Sequence, residues 1–144
     1  MRIAVVGLGQ IGLPLAVQYA SRGHEVIGCD VDAAVVAALN EGRPPHPGES
    51  EVDQRLPGLV ASGRLRATSD DREGVDGAEA VVVIVPVAVD SERRIDFAAI
   101  DAATRDVGGG IGPGTLVIFE TTLPVGTTRE RLTPVLAQES GLTP

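Results

Sequence analysis

Arg2-Ile3-Ala4-Val5-Val6-Gly7-Leu8-Gly9-Gln10-Ile11-Gly12, followed by Leu13-Pro14-Leu15-Ala16, decides the fold. The apolar run over residues 2–6 reads as a strand covered on both faces. Residues 10–22 then change to helical spacing, with Ile11, Leu15 and Tyr19 on one stripe. Pro14 falls near the first turn, where a missing N–H costs least. Between strand and helix the glycines are spaced G-x-G-x-x-G, and each has its own task. Gly7 turns sharply out of the strand, Gly9 leaves no Cβ between backbone and a bound pyrophosphate, and Gly12 lets the helix pack close to the sheet. The helix N-terminus offers free N–H groups and partial positive charge to that pyrophosphate. The spacing alone is a weak signal in a chain with 18 glycines. The context strengthens it, because an acid, Asp30, ends the next strand about 20 residues on.

The Asp30 carboxylate is expected to accept hydrogen bonds from the hydroxyls of the adenosine ribose. A 2′-phosphate ~4 Å away would cost on the order of 4 kcal/mol at an effective dielectric near ~20. The residues that follow, Val31, Asp32, Ala33 and Ala34, offer no cation to offset it. The sequence therefore predicts NAD rather than NADP.

Working outward, strand and helix alternate along the whole chain. Residues 25–29 read as a second strand, and Asp32 caps a helix over 33–40. GRPPHPGES (42–50) is loop chemistry. A helix over 51–62 and a short strand over 65–68 follow. Ser69-Asp70-Asp71-Arg72-Glu73 reads as a helix start with its usual negative charge. The run over 80–86 contains five successive β-branched residues, as a central parallel strand should. A helix is predicted over 96–107, a turn over 108–114, a fifth strand over 115–120 and a last helix over 126–139. This rhythm predicts an α/β fold: a Rossmann-type, doubly wound parallel sheet of order 3-2-1-4-5 with helices on both faces. A sixth strand would have to follow residue 144.

Composition sets the bounds. At 144 residues, 43% hydrophobic and 22% charged, the chain is expected to form one soluble domain over 1–144. With 2% aromatics its core must be aliphatic. A formal charge of −8 argues against nucleic acid as a partner. No apolar run approaches the ~20 residues of a membrane span, and no signal peptide is visible. The single cysteine, Cys29, can form no internal disulfide, which fits a cytoplasmic location; it reads as core filler. His24 and His46 are isolated and make no metal site, and Arg93-Arg94 reads as solvated loop.

Phe119-Glu120-Thr121-Thr122-Leu123-Pro124-Val125-Gly126-Thr127-Thr128 adds a second signal. Together with GLGQIGLPLA, VIGCDVD, GRLRATSD and AEAVVVIVP, it resembles the nucleotide-sugar 6-dehydrogenases, the UDP-glucose/GDP-mannose dehydrogenase family. The resemblance runs over essentially the whole chain, in order. It implies a two-step oxidation of a sugar C6 hydroxyl to a carboxylate, reducing two NAD. It also implies that the loop after the fifth strand lies beside nicotinamide and sugar, with the glutamate matching Glu120 positioning or activating water during thioester hydrolysis. A carboxylate at a strand's C-terminal end can act as such a base; the alternative is that Glu120 and the threonines only cap the next helix. The expected site is thus Glu120 for catalysis, and Gly7, Gly9, Gln10, Ile11, Gly12, Asp30, Val85, Pro86, Thr121 and Thr122 for the cofactor, with no metal.

The family's nucleophilic cysteine belongs to a later domain, as do its substrate-domain lysine and asparagine. The 144 residues are therefore expected to bind NAD and not to turn over a nucleotide sugar unaided. Family members associate through a central helical domain, so apolar surface near residue 144 is expected to drive weak self-association. One departure stands out. Where the family has Pro-Thr-Pro after the fourth strand, this chain has Pro86-Val87-Ala88, and Val87 has no hydroxyl. Two other readings share parts of the pattern. A β-hydroxyacid dehydrogenase begins with a similar GLGxxGxPxA, but often carries Arg after the second strand. An NAD-sensing regulatory domain has this size, loop and acid, but not the segment 120–128.

Overall fold

The computed structural model describes residues 1–143. Five strands, β1 (Arg2–Val6), β2 (Glu25–Cys29), β3 (Leu65–Thr68), β4 (Ala80–Val83) and β7 (Leu116–Phe119), form one sheet. All neighbours pair parallel, in the order β3-β2-β1-β4-β7. This is the predicted 3-2-1-4-5 order once a small hairpin, β5 (Ala88–Val89) and β6 (Ile95–Asp96), is numbered between β4 and β7.

Alternation along the strands divides the core in two. Ile3, Val5, Val26 and Val82 face helices α1 (Gly12–Ser21), α2 (Ala33–Asn40) and α3 (Ser50–Ala61), with Leu13, Leu39 and Leu56 among the side chains packed there. Ala4, Val6, Ile27, Cys29, Val81 and Val83 face α4 (Asp71–Val75) and α5 (Ala98–Gly110), through Val75, Ala103 and Val107. Leu136 of α6 (Thr133–Ser140) joins that second layer. Both faces are aliphatic, as the scarcity of aromatics requires. At the outer edge β3 is clamped by the Asn40 side chain, which donates to the Ala67 carbonyl (2.9 Å) and accepts from the Ala67 N–H (2.8 Å).

The helix starts predicted from acidic caps hold. Asp32 accepts from the Ala34 N–H (2.8 Å), and Asp70 accepts from the Glu73 N–H (3.2 Å). Several features differ from expectation, the main ones each for a local reason. The fourth strand stops at Val83 instead of 86: its neighbour β1 ends at Val6, and Gly7 swings away so tightly that a Cβ there would lie 2.5 Å from the Ile84 carbonyl oxygen. The first helix begins at Gly12 and not at 10, after a turn through Gln10-Ile11. The last predicted helix opens as a π-helical turn over Thr128–Leu132, anchored by Arg131, which pairs with Asp101 (2.6 Å) and stacks on the Phe97 ring (4.4 Å). The hairpin β5–β6 has no period-2 signature long enough to be read. It is organised by Asp90, which accepts from the N–H groups of Glu92 and Arg94 and pairs with the Arg94 side chain. Arg93-Arg94 is a solvated turn, as expected.

Gly108-Gly109-Gly110, read as a turn, is helical and completes α5. Close packing explains it. A Cβ on Gly108 would meet the Glu139 Cβ at 2.8 Å, and one on Gly110 would meet the Arg72 carbonyl oxygen at 2.5 Å. The glycines let α5 approach α4 and α6 at a distance no side chain allows. In an open helix Gly→Ala stabilises by about 1 kcal/mol; here Gly110→Ala should instead destabilise by about 1–3 kcal/mol. A urea midpoint raised in Gly110→Ala would refute the packing account.

Candidate functional site

The C-terminal ends of β1, β2, β4 and β7 meet in a crevice of the kind that holds ligands in open α/β sheets. Its geometry begins with the three glycines. Gly7 takes φ +96° and donates its N–H to the Cys29 carbonyl (2.8 Å), which ties the first turn to the end of β2. A Cβ on Gly12 would lie 1.7 Å from the Gly7 carbonyl oxygen, so the loop closes only without one. Gly9 differs: nothing lies within 4 Å of where its Cβ would be. Its surface is open, as a cradle for a phosphate must be.

Asp30 holds this loop from the neighbouring strand. One carboxylate oxygen accepts from the Leu8 N–H (2.8 Å) and the other from the Asp32 N–H (2.9 Å). Each oxygen keeps a further lone pair for a ligand hydroxyl.

Two cavities flank the loop. The first, about 470 Å³, is reached by Gly7, Gly9, Asp30, Val85 and Pro86, and by Ala99, Ala102 and Ala103 of α5. The second, about 350 Å³, is bounded by Gly9, Ile11, Gly12, Val85, Pro86, Glu120, Thr121 and Thr122. Gly9, Val85 and Pro86 belong to both, so the two form one trough across the loop. The Thr121 hydroxyl donates to the Val85 carbonyl (2.7 Å), fastening the loops after β4 and β7 to each other. Gln10 lines a groove between α1 and α3 that it shares with Ile11, Glu120 and Arg22, and a smaller one with Gly9. Tyr19 is held above its usual phenol range by burial and by the nearby Glu120 carboxylate.

Read as a domain model, residues 1–143 match the UDP-glucose/GDP-mannose dehydrogenase family, NAD binding domain. The chain belongs to this family. It is 37% identical over 142 residues to the UDP-N-acetyl-D-mannosamine dehydrogenase of Pyrococcus horikoshii, covering 99% of this chain and 33% of that one. It is 39% identical over 128 residues to an NDP-N-acetyl-D-galactosaminuronic acid dehydrogenase of Ralstonia nicotianae, covering 89% and 29%. Among solved structures, it superposes on the GDP-mannose dehydrogenase of Pseudomonas aeruginosa, captured as a ternary complex, with a TM-score of 0.91 at 28% identity, covering 99% of this chain and 33% of that one. The chain thus spans about a third of the length of these relatives. NAD is the cofactor of the family's domain.

Of the sequence-predicted residues, Gly7, Gly9, Ile11, Gly12, Asp30, Val85, Pro86, Glu120, Thr121 and Thr122 line the trough, and Gln10 lines the neighbouring grooves instead. Cys29 is fully buried, and desolvation with the nearby Asp71 pushes its thiol up to about 12, so it is inert as a nucleophile. Val87 is half-buried beyond the trough lining. Among the described residues no cluster of His, Cys, Asp or Glu could hold a metal ion, and no helix is long and apolar enough to cross a membrane.

Two lining residues were set aside in the sequence. His46, in the proline-rich loop, reaches the first cavity and a smaller one beside Gly9 and Gln10. Asp71, read only as a helix-start charge, lines the first cavity together with Asp106. The small residues Ala99, Ala102 and Ala103 at helical spacing were the available signal for that wall.

Burial, then Asp106, Asp30 and Asp70, raise the Asp71 carboxyl from 3.8 to about 6. An acid whose folded pKa is raised favours the folded state in its protonated form, so its contribution is full below its ordinary pKa and is lost as pH rises through about 6. Asp71→Asn should therefore gain stability over the natural chain between pH ~4 and pH ~7. Urea midpoints at both pH values test this; an unchanged difference would contradict it.

Proposed function

We propose that this chain is the cofactor-binding part of an enzyme that oxidises the C6 hydroxyl of a nucleotide sugar, with NAD held across the trough. The observation that carries the reading is the open face of Gly9 lying between Asp30 on one side and the Glu120–Thr122 segment on the other. In this reading the backbone N–H groups around Gly9, Gln10 and Ile11, at the start of α1, take the pyrophosphate. Asp30, already fixed by two backbone N–H groups, receives the ribose hydroxyls on its remaining lone pairs. Gly7 and Gly12 keep the loop closed.

Val85 and Pro86 form the wall where the two cavities join, and the Thr121–Val85 hydrogen bond keeps it close to Glu120. When bound, the nicotinamide supplies a hydride acceptor. Glu120, exposed at the end of β7, is suited to hold a water or a substrate hydroxyl and take its proton. Thr122 offers a hydroxyl to the same cavity, whereas the Thr121 proton is already committed to Val85. The relatives' names, dehydrogenases of N-acetylated and simple nucleotide sugars, support a substrate of that class. Since the only thiol is buried, these 144 residues alone are expected to bind NAD and produce no NADH from a UDP-sugar.

Calorimetric titration tests the reading, the absence of Trp having removed the simplest fluorescence signal. NAD should bind, and NADP should bind at least ~100-fold more weakly because its 2′-phosphate would meet the Asp30 charge. Equal affinity for the two would sink the role of Asp30, and sustained NADH formation from a UDP-sugar would sink the claim of inactivity.

A further inference from the structure

The first cavity holds a carboxylate that the reading above leaves unused. Five acids stand at or beside its floor, and four of them have partners. Asp30 accepts from Leu8 and Asp32, Asp32 accepts from Ala34, Asp70 accepts from Glu73, and Asp106 accepts from the Arg72 side chain at 3.4 Å. Asp71 lines the cavity, and among the described residues its carboxylate accepts no hydrogen bond. Burial and the carboxylates of Asp106, Asp30 and Asp70 also disfavour its ionisation.

Such a group is stabilised by a donor brought in from outside. A metal ion is not that donor, because the acids here do not converge into a site that could hold one. A phosphate or carboxylate is not either, since it would add charge of the same sign. Of the donors a dinucleotide carries, a neutral N–H group of its base suits this acceptor. The rest of the lining says what shape carries it. Val31, Ala99, Ala102 and Ala103 give small, apolar walls suited to a flat ring, and Asp30 marks where the ribose attaches. A purine extending from that ribose into this cavity meets an acceptor at its edge. Adenine presents a 6-amino group there; hypoxanthine presents a carbonyl at that position, its N1–H lying one atom further round the ring.

We propose that Asp71 is a specificity-determining residue for the base: it accepts a hydrogen bond from the exocyclic amino group of the adenine ring and rejects a 6-oxo purine. The inference rests on the cofactor reading and deepens it by naming which edge of the cofactor is read, and by which residue. A hydrogen bond to a charged acceptor is lost with the 6-oxo analogue, and a carbonyl is brought against a carboxylate in its place. Asparagine at this position would level the two, because its side chain can turn either its oxygen or its amide N–H groups toward the base.

The test compares NAD with nicotinamide hypoxanthine dinucleotide, titrated by calorimetry into the 144-residue chain and into Asp71→Asn. The natural chain should bind NAD at least ~10-fold more tightly than the hypoxanthine dinucleotide. In Asp71→Asn the two affinities should fall within about threefold of each other. The ratio is the readout, so a general gain in affinity from removing one negative charge does not disturb it. Asp71→Leu, with no polar atom at this position, serves as the second variant and should level the ratio likewise. NAD binding with the same preference in all three proteins overturns the inference and leaves the cofactor reading standing. Failure of the natural chain to bind either dinucleotide overturns both.

Discussion

The hydrogen bond from the Leu8 N–H to the Asp30 carboxylate is the constraint on which the site depends. It joins residues 22 apart in sequence across the ends of two paired strands, and it fixes the glycine loop against β2. With the Gly7 N–H on the Cys29 carbonyl, it sets the height at which α1 starts. A ligand-free loop of three glycines would otherwise be costly to order, glycine losing more backbone freedom than any other residue. Here the order comes from the protein itself. A ligand arriving at the crevice meets a loop already ordered, with the Asp30 carboxylate fixed beside it.

The second fixed point is the Thr121 hydroxyl on the Val85 carbonyl. Both strands end within two residues of this bond, which adds to the Glu120 N–H on the Val83 carbonyl (3.1 Å) in tying the two loops together. It gives the side of the trough near Glu120 a defined width, and it explains why that segment matters structurally even before any ligand is considered. A valine at 121 would leave the Val85 carbonyl without its partner at the junction of the two cavities.

Much of this was legible in the sequence, for a physical reason. A buried parallel strand must be apolar on both faces, and a phosphate loop must lack Cβ atoms at set places, so both leave a mark in one dimension. Strand order followed from matching the strand–helix rhythm to a doubly wound sheet. What was not legible depends on contacts between distant segments. Nothing local distinguishes Gly108-Gly109-Gly110 as helix from the same triplet as turn, because the deciding atoms belong to Arg72, Leu136 and Glu139. Gln10 sits inside the motif yet lines the grooves beside the trough and not the trough itself. Asp71 carried an adequate local explanation as a helix-start charge, and its place in the cavity emerged only when α4 and α5 were brought together.

The burial of Cys29 has a practical side. Its sulfur is enclosed so closely that a Cβ on Gly74 would come within 2.2 Å of it. The chain therefore presents a surface with no accessible thiol, and a cysteine introduced at any exposed position becomes a unique attachment point. A dye or spin label placed on the hairpin tip, with a second on α2, would report distances across the trough directly, against an unreactive background and without first removing a native residue.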